Sequence, residues 1–585
     1  MIYHFMTQIV TGITLILGIS GFTGIQQSQN TETNLNITPV TTGELGRRVE
    51  LHNRRMHDQN LYGVEHVFQP AGYSWPGDWE GRTILALALE ARLKNERDPE
   101  LEAILSALPD HLNAKGYMGN LYDDGTVDEQ LLSSHGWLLR GLCESYLGNN
   151  DPALLRRIHI IIDNLVPPLA GEYKKYPMTV ESRTLDGGPS GSIVAQKSGN
   201  WLLSTDIGCA FIFFDGLVQA LEITGRLKEF QPICEEIVDK FSQINLIAIK
   251  AQTHASLTMG RGLMRYWKLT QYPPALQMAK QVFATYLREG MSAHYANYNW
   301  FDRPDTWTEP CAIVDSFILA MQLYRATSDA HYLDTALRIW HTGVERAQRP
   351  NGGFGGDNCP RPGQEDIAVA FYEATWCCTM RGGEGLFERA ASAASLENGI
   401  LEIYLPAALN FISSDGEFTL ETDYPHTADA KLTIHRLPAN LKTIAYALVP
   451  GAKLGTVKVS DQSGKEYSFR LQGNGLVAFD GPFSEGMVLS ITMPIEIECL
   501  PAVNDPSGQL KTYWYGAMML GSIPGSSPSL PLTKIGPGCF SDATGMKVEA
   551  LQRMWLIPDL PTANDTFGAD EAAKAATTRR ILFDH

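Results

Sequence analysis

The sequence has no cysteine framework. Its nine cysteines, at positions 143, 209, 234, 311, 359, 377, 378, 499 and 539 of a 585-residue chain, are odd in number and irregularly spaced. That excludes the small, disulfide-stapled class of secreted protein. There is no basic excess either: 65 acidic residues stand against 47 basic ones, the net charge is −18, and the charges are spread along the chain. A nucleic-acid or anionic-membrane surface is therefore excluded, and neutral or weakly charged ligands fit better. No stretch after the first 25 residues is apolar for long enough to cross a bilayer. Within those residues, Ile9 to Phe22 is an apolar run too short to span comfortably, followed by the polar Gln26 to Thr31. This is the pattern of an export signal and a linker, and it predicts a secreted or periplasmic protein. Met1 to Gln8 carries no Lys or Arg, and no cysteine lies near the end of the apolar run, which argues against a lipoprotein anchor.

What is present is a large apolar inventory. Hydrophobic residues make up 44% of the chain, and the length exceeds what one core usually serves, so at least two structural units are expected. From about residue 80 to 395 a phrase recurs: an amphipathic stretch, a polar break, a second amphipathic stretch. Leu139 to Asp151, Leu217 to Gly225, Met264 to Thr270 and Met321 to Asp329 are examples. Such irregular hairpins predict an (α/α)6 toroid over residues 46–394, with residues 1–25 as signal and 26–45 as linker. Near residue 395 the texture becomes short, alternating, β-branched runs such as Gly399 to Leu405 and Met487 to Thr492. They predict an antiparallel β-sandwich over 395–525, and the Pro- and Gly-rich remainder, 526–585, reads as an extended strap with a frayed or helical end. Eleven Trp and 22 Tyr suit sugar stacking, although aromatic residues mostly fill cores.

Two segments carry soft or acidic ligands where a loop meets a helix: Trp307-Thr-Glu-Pro-Cys-Ala312 and Tyr372-Glu-Ala-Thr-Trp-Cys-Cys-Thr-Met-Arg-Gly-Gly-Glu-Gly385. Adjacent cysteines seldom bridge each other, whereas at a helix start both sulfurs can turn to one metal. With Glu309 and Cys311, Cys377 and Cys378 make a four-ligand zinc set of three thiolates and one carboxylate. A buried, inert cysteine pair is the alternative reading of the same residues.

These segments, in this order and with this layout, resemble the β-L-arabinofuranosidase family of glycoside hydrolases, family 127. The family's Glu-x-Cys corresponds to Glu309-Pro-Cys311, its later Cys-Cys pair to Cys377-Cys378, and the similarity extends over most of residues 40–525. The resemblance implies a carbohydrate substrate, a bound Zn2+ and Cys377 as nucleophile. It also implies a proton-donating Glu about a dozen and a half residues before the metal Glu. Here that stretch, Ser292 to Trp300, has no carboxylate, and Glu289 sits slightly early. His294 and Glu289 are the acid/base candidates, with Asp302, Asp305 and Glu373 as further possibilities. Around Cys209-Ala210 a sugar-binding His of the family is missing. His254 and His135 match other family histidines and are candidate sugar contacts, unless they are satisfied core residues. In Trp75-Pro-Gly-Asp-Trp-Glu-Gly-Arg82 the paired Trp, Trp75 among them, and the acids line a subsite, or the segment caps the following helix with Asp78 or Pro76 at its start.

Three functions follow. The first is a retaining glycoside hydrolase releasing a furanose or modified sugar. The second is a polysaccharide lyase with His294 and Tyr295 as base and acid and Arg261 or Arg381 facing a uronic carboxylate. The third is a non-catalytic sugar-binding paralogue. No nucleic-acid partner is expected, no membrane contact beyond the signal segment, and the sequence leaves the oligomeric state open.

Overall fold

The computed structural model describes residues 38–68, 75–122, 124–183, 193–503, 505–552 and 571–584. The expected signal, residues 1–25, and most of the expected linker lie outside them. Twelve of the described helices follow one another as six pairs: α1 (Gly43–Met56) and α2 (Asp78–Lys94), α3 (Pro99–Ala107) and α4 (Glu129–Asn149), α5 (Pro152–Leu165) and α6 (Phe213–Thr224), α7 (Leu227–Ser242) and α8 (Thr253–Thr270), α9 (Pro273–Glu289) and α10 (Pro310–Thr327), α11 (Ala330–Arg338) and α12 (Cys378–Ala391). Each even-numbered helix packs on the next, and α12 returns to α2, so the series closes. The odd-numbered helices bury one stripe, as α5 does with Leu154, Ile158, Ile161, Ile162 and Leu165. The even-numbered α2, α4 and α8 are buried on almost every side.

Local chemistry sets these helices. Asp98, Asp128, Asp151 and Asp329 cap α3, α4, α5 and α11, each accepting hydrogen bonds from backbone N–H groups of the first turn. Proline opens α3, α5, α9 and α10, where its missing N–H costs nothing. Between even helices, backbones touch: a Cβ on Gly81 would lie 2.3 Å from the Leu138 nitrogen, and one on Gly216 would lie 2.1 Å from the Gly136 oxygen. Alanine at either position would force neighbouring helices apart.

Three larger sheets accompany the helices. A six-stranded antiparallel sheet runs in the order Thr38–Thr41, Leu409–Ile412, Glu417–Thr422, Ala430–Arg436, Val488–Thr492, Lys458–Asp461. Thr38–Thr41, placed in the linker by the sequence, is thus an edge strand paired with Leu409–Ile412. A five-stranded sheet runs Phe469–Leu471, Leu476–Asp480, Thr443–Ala447, Ile400–Ile403, Ala394–Glu397. The antiparallel expectation needs correction here, because Thr443–Ala447 pairs with Ile400–Ile403 in parallel. Every residue of Thr443–Ala447 is buried, as a strand covered on both faces requires.

The expected strap over 526–585 is also corrected where it is described, residues 553–570 lying outside the described residues. Thr533–Gly536, Cys539–Ser541 and Lys547–Ala550 join Ile497–Pro501, Leu510–Tyr515 and Met518–Ser522 in a nine-stranded sheet. Arg579–Arg580 and Phe583–Asp584 return to pair within it, after a short helix, Glu571–Thr577. This sheet docks on the helices through a π-helical turn, Ile339–Val344, where the Thr342 hydroxyl donates to the Ala517 carbonyl (3.0 Å) and accepts from the Met519 N–H (3.1 Å). No described helix is long and apolar enough to cross a membrane.

Candidate metal centre

Helices α10 and α12 begin unusually. Glu309 is the N-cap of α10 and Cys377 the N-cap of α12, and neither side chain caps its own helix. A Ser or Asp there would turn back to the backbone; these two turn elsewhere. Ligand atoms of Glu309, Cys311, Cys377 and Cys378 all lie within 4.8 Å of one another. The Cys377 and Cys378 sulfurs are 3.4 Å apart, and those of Cys311 and Cys378 3.7 Å. Four bonds of zinc–sulfur length, about 2.3 Å, make a tetrahedron with edges of about 3.8 Å, so the donors fit a zinc ion in identity and spacing. The Glu309 Oε2 atom is out of solvent with no hydrogen-bond partner, which a cation at this point would supply.

The electrostatics single out one sulfur. Contacts with Cys311 and then Cys378 hold the Cys377 thiol down, to about 6, against its burial. Burial pushes Cys311 up to about 11 and Cys378 well above the usual thiol range. Burial, followed by the charges of Cys311 and Asp206, likewise raises the Glu309 carboxyl. Two helix N-termini aimed at one cluster favour anions there. The other cysteines form no disulfide among the described residues, and Cys234 is fully buried and pushed up to about 12 by that burial.

Behind the ligands the even helices contribute a buried charge network. Arg82 of α2 binds Asp78 (2.9 Å), points Nη1 at the Cys311 sulfur (3.5 Å) and lies 4.4 Å over the Trp137 ring. Arg381 of α12 lies 4.3 Å over the same ring and pairs with Asp315 of α10 and Glu384. Asp315 also takes hydrogen bonds from Arg261 (2.6 Å), His254 Nδ1 (2.7 Å) and the Thr258 hydroxyl (2.8 Å). Arg140 pairs with Glu144 and Glu384, and Arg265 with Asp215. These residues recur at intervals of three and four on their helices, so each helix turns one polar line toward the others.

The structure sorts the sequence-based candidates. His254 stacks on Trp137 (5.7 Å, 6° between planes), and its Nε2 is buried with no partner among the described residues, as are Trp137 Nε1, Thr253 Oγ1 and Asn299 Oδ1. Neighbouring backbone bonds tie this set to the ligands: Thr253 N–H donates to Asn299 O (3.0 Å), and Glu309 N–H to Asn297 Oδ1 (3.0 Å). Buried polar atoms in want of partners are what a sugar's hydroxyls satisfy.

His135 is engaged at both nitrogens, Nδ1 with the Leu131 carbonyl (2.7 Å) and Nε2 accepting from the Met118 N–H (3.1 Å). Tyr295 meets Trp514 edge-on at 5.0 Å in the core against the nine-stranded sheet. His294 is buried beside it, with Nδ1 on the Ser292 hydroxyl (3.2 Å). Glu289 is the half-buried last residue of α9, and Trp75 is buried at the approach to α2. Glu373 is held by Arg55 (2.8 Å), Asp302 by Lys250, and Asp305 by Arg303 (2.8 Å). These hydrogen bonds and ion pairs of His135, His294, Glu373, Asp302 and Asp305 lead to partners other than the four ligands. The lyase reading loses its cations, because Arg261 and Arg381 are locked into the buried network. Sequence reasoning missed Asp206, on the buried loop before α6, whose charge bears on Glu309. It also missed Trp137 and Asp315, whose only signal was their helical spacing to other polar residues.

Burial holds His135 and His294 down, each to about 4. In the unfolded chain they titrate near 6.5. Their contribution is complete above 6.5 and is lost as pH falls toward 4, because only the unfolded chain then takes up the protons. The urea midpoint is expected to fall between pH 7 and pH 5, and the fall should shrink in His135→Gln; an unchanged pH dependence in that variant would rule this out.

The chain has the fold of glycoside hydrolases of family 127, at low identity. It matches a β-L-arabinofuranosidase of that family from Geobacillus stearothermophilus T6, with 12% identity, 85% of this chain and 88% of that one covered and a TM-score of 0.61. A second family 127 β-arabinofuranosidase gives 13%, 89% and 95%, and 0.62, and a structure described as a glycoside hydrolase gives 12%, 94% and 93%, and 0.60. No known sequence family and no curated protein matches the chain.

Proposed function

We propose that the protein is a glycoside hydrolase that releases a furanose or modified sugar from an oligo- or polysaccharide, with retention, using Cys377 as nucleophile. The observation that carries this is the convergence of Glu309, Cys311, Cys377 and Cys378 within 4.8 Å at two helix starts. The closed order of contacts among α2 to α12 supports an (α/α)6 toroid, and the six- and five-stranded sheets support the sandwich. Export to the periplasm or medium belongs to the same reading.

The four residues would hold zinc, which when bound keeps the thiols ionised at neutral pH. The Cys377 thiolate forms a C–S bond at the anomeric carbon as the glycosidic C–O bond breaks, and the bond pair leaves on the departing oxygen with a proton from an acid. Water then forms the new C–O bond, the C–S bond breaks, and its electrons return to sulfur while the former acid takes the water's proton. Of the carboxyl groups outside the ligand set, Asp206 and Asp315 act electrostatically on Glu309. Asp315 is bound by Arg261, Arg381 and His254, and Asp206, buried and acting through its charge on Glu309, is the carboxylate put forward for proton transfer. Unpartnered His254 Nε2, Thr253 Oγ1 and Asn299 Oδ1 orient the hydroxyls.

The test is metal analysis of the purified protein followed by a screen of aryl furanosides and pyranosides. One zinc per chain is expected, with turnover of an aryl furanoside that a chelator abolishes. Asp206→Asn should slow alkyl glycosides, which need leaving-group protonation, far more than aryl ones. Tight sugar binding with no turnover of any glycoside would replace this reading with the sugar-binding one.

A further inference from the structure

Resting on that hydrolase reading, we propose that Trp307, braced by Trp300, is the platform on which the ring attached to the departing oxygen stacks, a sugar or an aromatic aglycone.

Trp307 is an exposed large apolar side chain, 37% accessible, two positions before the ligand Glu309. The chain there is extended: Trp307 forms an antiparallel bridge with Asn358, and Glu309 has φ −112° and ψ 111°. In extended chain, alternate side chains share a face and lie about 6.5–7 Å apart. The intervening Thr308 faces the other way, its N–H donating to Asp357 O and its hydroxyl accepting from Asp357 N–H, both at 2.8 Å. The Trp307 indole therefore stands on the same side of the strand as the Glu309 side chain, the indole reaching solvent while Glu309 Oε2 is buried at the ligand cluster.

The platform is rigid and has a polar edge. Trp300 meets Trp307 edge-to-face at 5.7 Å and 80°. Trp300 is itself bridged to Gln252, the N-cap of the helix that carries His254. In the segment between the two tryptophans, Arg303 holds Asp305 through two contacts of 2.8 Å, and Arg361 donates to the Pro304 carbonyl (2.6 Å). The inner side of the cluster is closed, since Trp137, Arg381 and Asp315 are buried. A substrate joined to a longer chain can only continue outward, and an indole face at that exit matches the C–H face of a sugar ring.

The test compares Trp307→Ala with the parent protein on an L-arabinofuranose oligosaccharide of two to four units and on the corresponding glycosyl fluoride, whose leaving group has no ring. The ratio of kcat/KM for oligosaccharide over fluoride should fall about five- to tenfold in the variant, an aromatic contact being worth that much. Trp307→Phe should restore part of it. An unchanged ratio overturns the platform, as does equal loss on both substrates, which marks Trp307 as merely structural. Binding of the same oligosaccharide, followed by tryptophan fluorescence, separates this idea from the hydrolase reading. If the parent protein binds but turns over neither substrate, weaker binding by Trp307→Ala still supports the platform while the hydrolase reading fails. Equal binding, or no binding to either protein, overturns the platform.

Discussion

Cys377→Ser is expected to lower turnover of an aryl furanoside by about 10⁴-fold or more, the scale set by removing a nucleophile whose neighbours act as a unit with it. Cys377 is half-buried, whereas Cys311 and Cys378 are buried, so it is the sulfur a substrate can meet. It is also the thiol held down, to about 6, by its two sulfur neighbours. Glu309, Cys311 and Cys378 remain as ligands in the variant, so cobalt substituted for zinc should still give a thiolate charge-transfer band, weaker by one sulfur. Cys311→Ser should behave differently, with metal affinity and activity falling together. Equal activity loss in the two variants with equal metal content would remove Cys377 from its special place. Full activity in Cys377→Ser would end the covalent mechanism altogether.

Asp315→Asn should cost about 3–5 kcal/mol of stability, the usual cost of breaking a buried charge pair from one side. Burial disfavours the Asp315 carboxylate, but Arg381 and Arg261 more than offset this and hold it well below the usual range. With a neutral amide in place, two buried guanidinium groups lose their shared counter-charge, and His254 Nδ1–H loses its acceptor. The thermal midpoint should drop by several degrees, and sugar binding should weaken because His254 no longer has a fixed orientation. A shift below one degree would mean that the network is balanced by Glu384 alone.

The sequence revealed most where one helix period or one residue type was enough. The phrases at Leu217 to Gly225 and Met264 to Thr270 lie in α6 and α8, because amphipathic spacing reports a helix directly. Glu309, Cys311, Cys377 and Cys378 stood out as thiols and a carboxylate at two helix starts, a pattern equally open to an inert cysteine pair until the family resemblance was added, and their ligand atoms do converge. Arg82 and Asp315 did not stand out, because charges at intervals of four look like a solvated face until the helices are arranged around them, and Arg381 was read as a substrate cation although it pairs with Asp315 and Glu384. Thr38–Thr41 read as linker because its partner, Leu409–Ile412, is far along the chain and four residues carry little pattern. The strands after residue 525 were hidden by Gly and Pro, which mark turns in a sheet as readily as a strap. Asp206 sits in a loop, where no periodicity marks it.

The return of α12 to α2 also bears on how the protein is made. Arg82 comes from the first of the even helices, 229 positions before the Cys311 it approaches, and Cys378 lies 67 positions beyond Cys311. As the chain leaves the ribosome, its early part can form hairpins, but the ligands have no common place until the last pair arrives and the circle shuts. A chain ending before α12 would carry Glu309 and Cys311 without their partners, so truncation should abolish the ion site outright rather than weaken it by degrees.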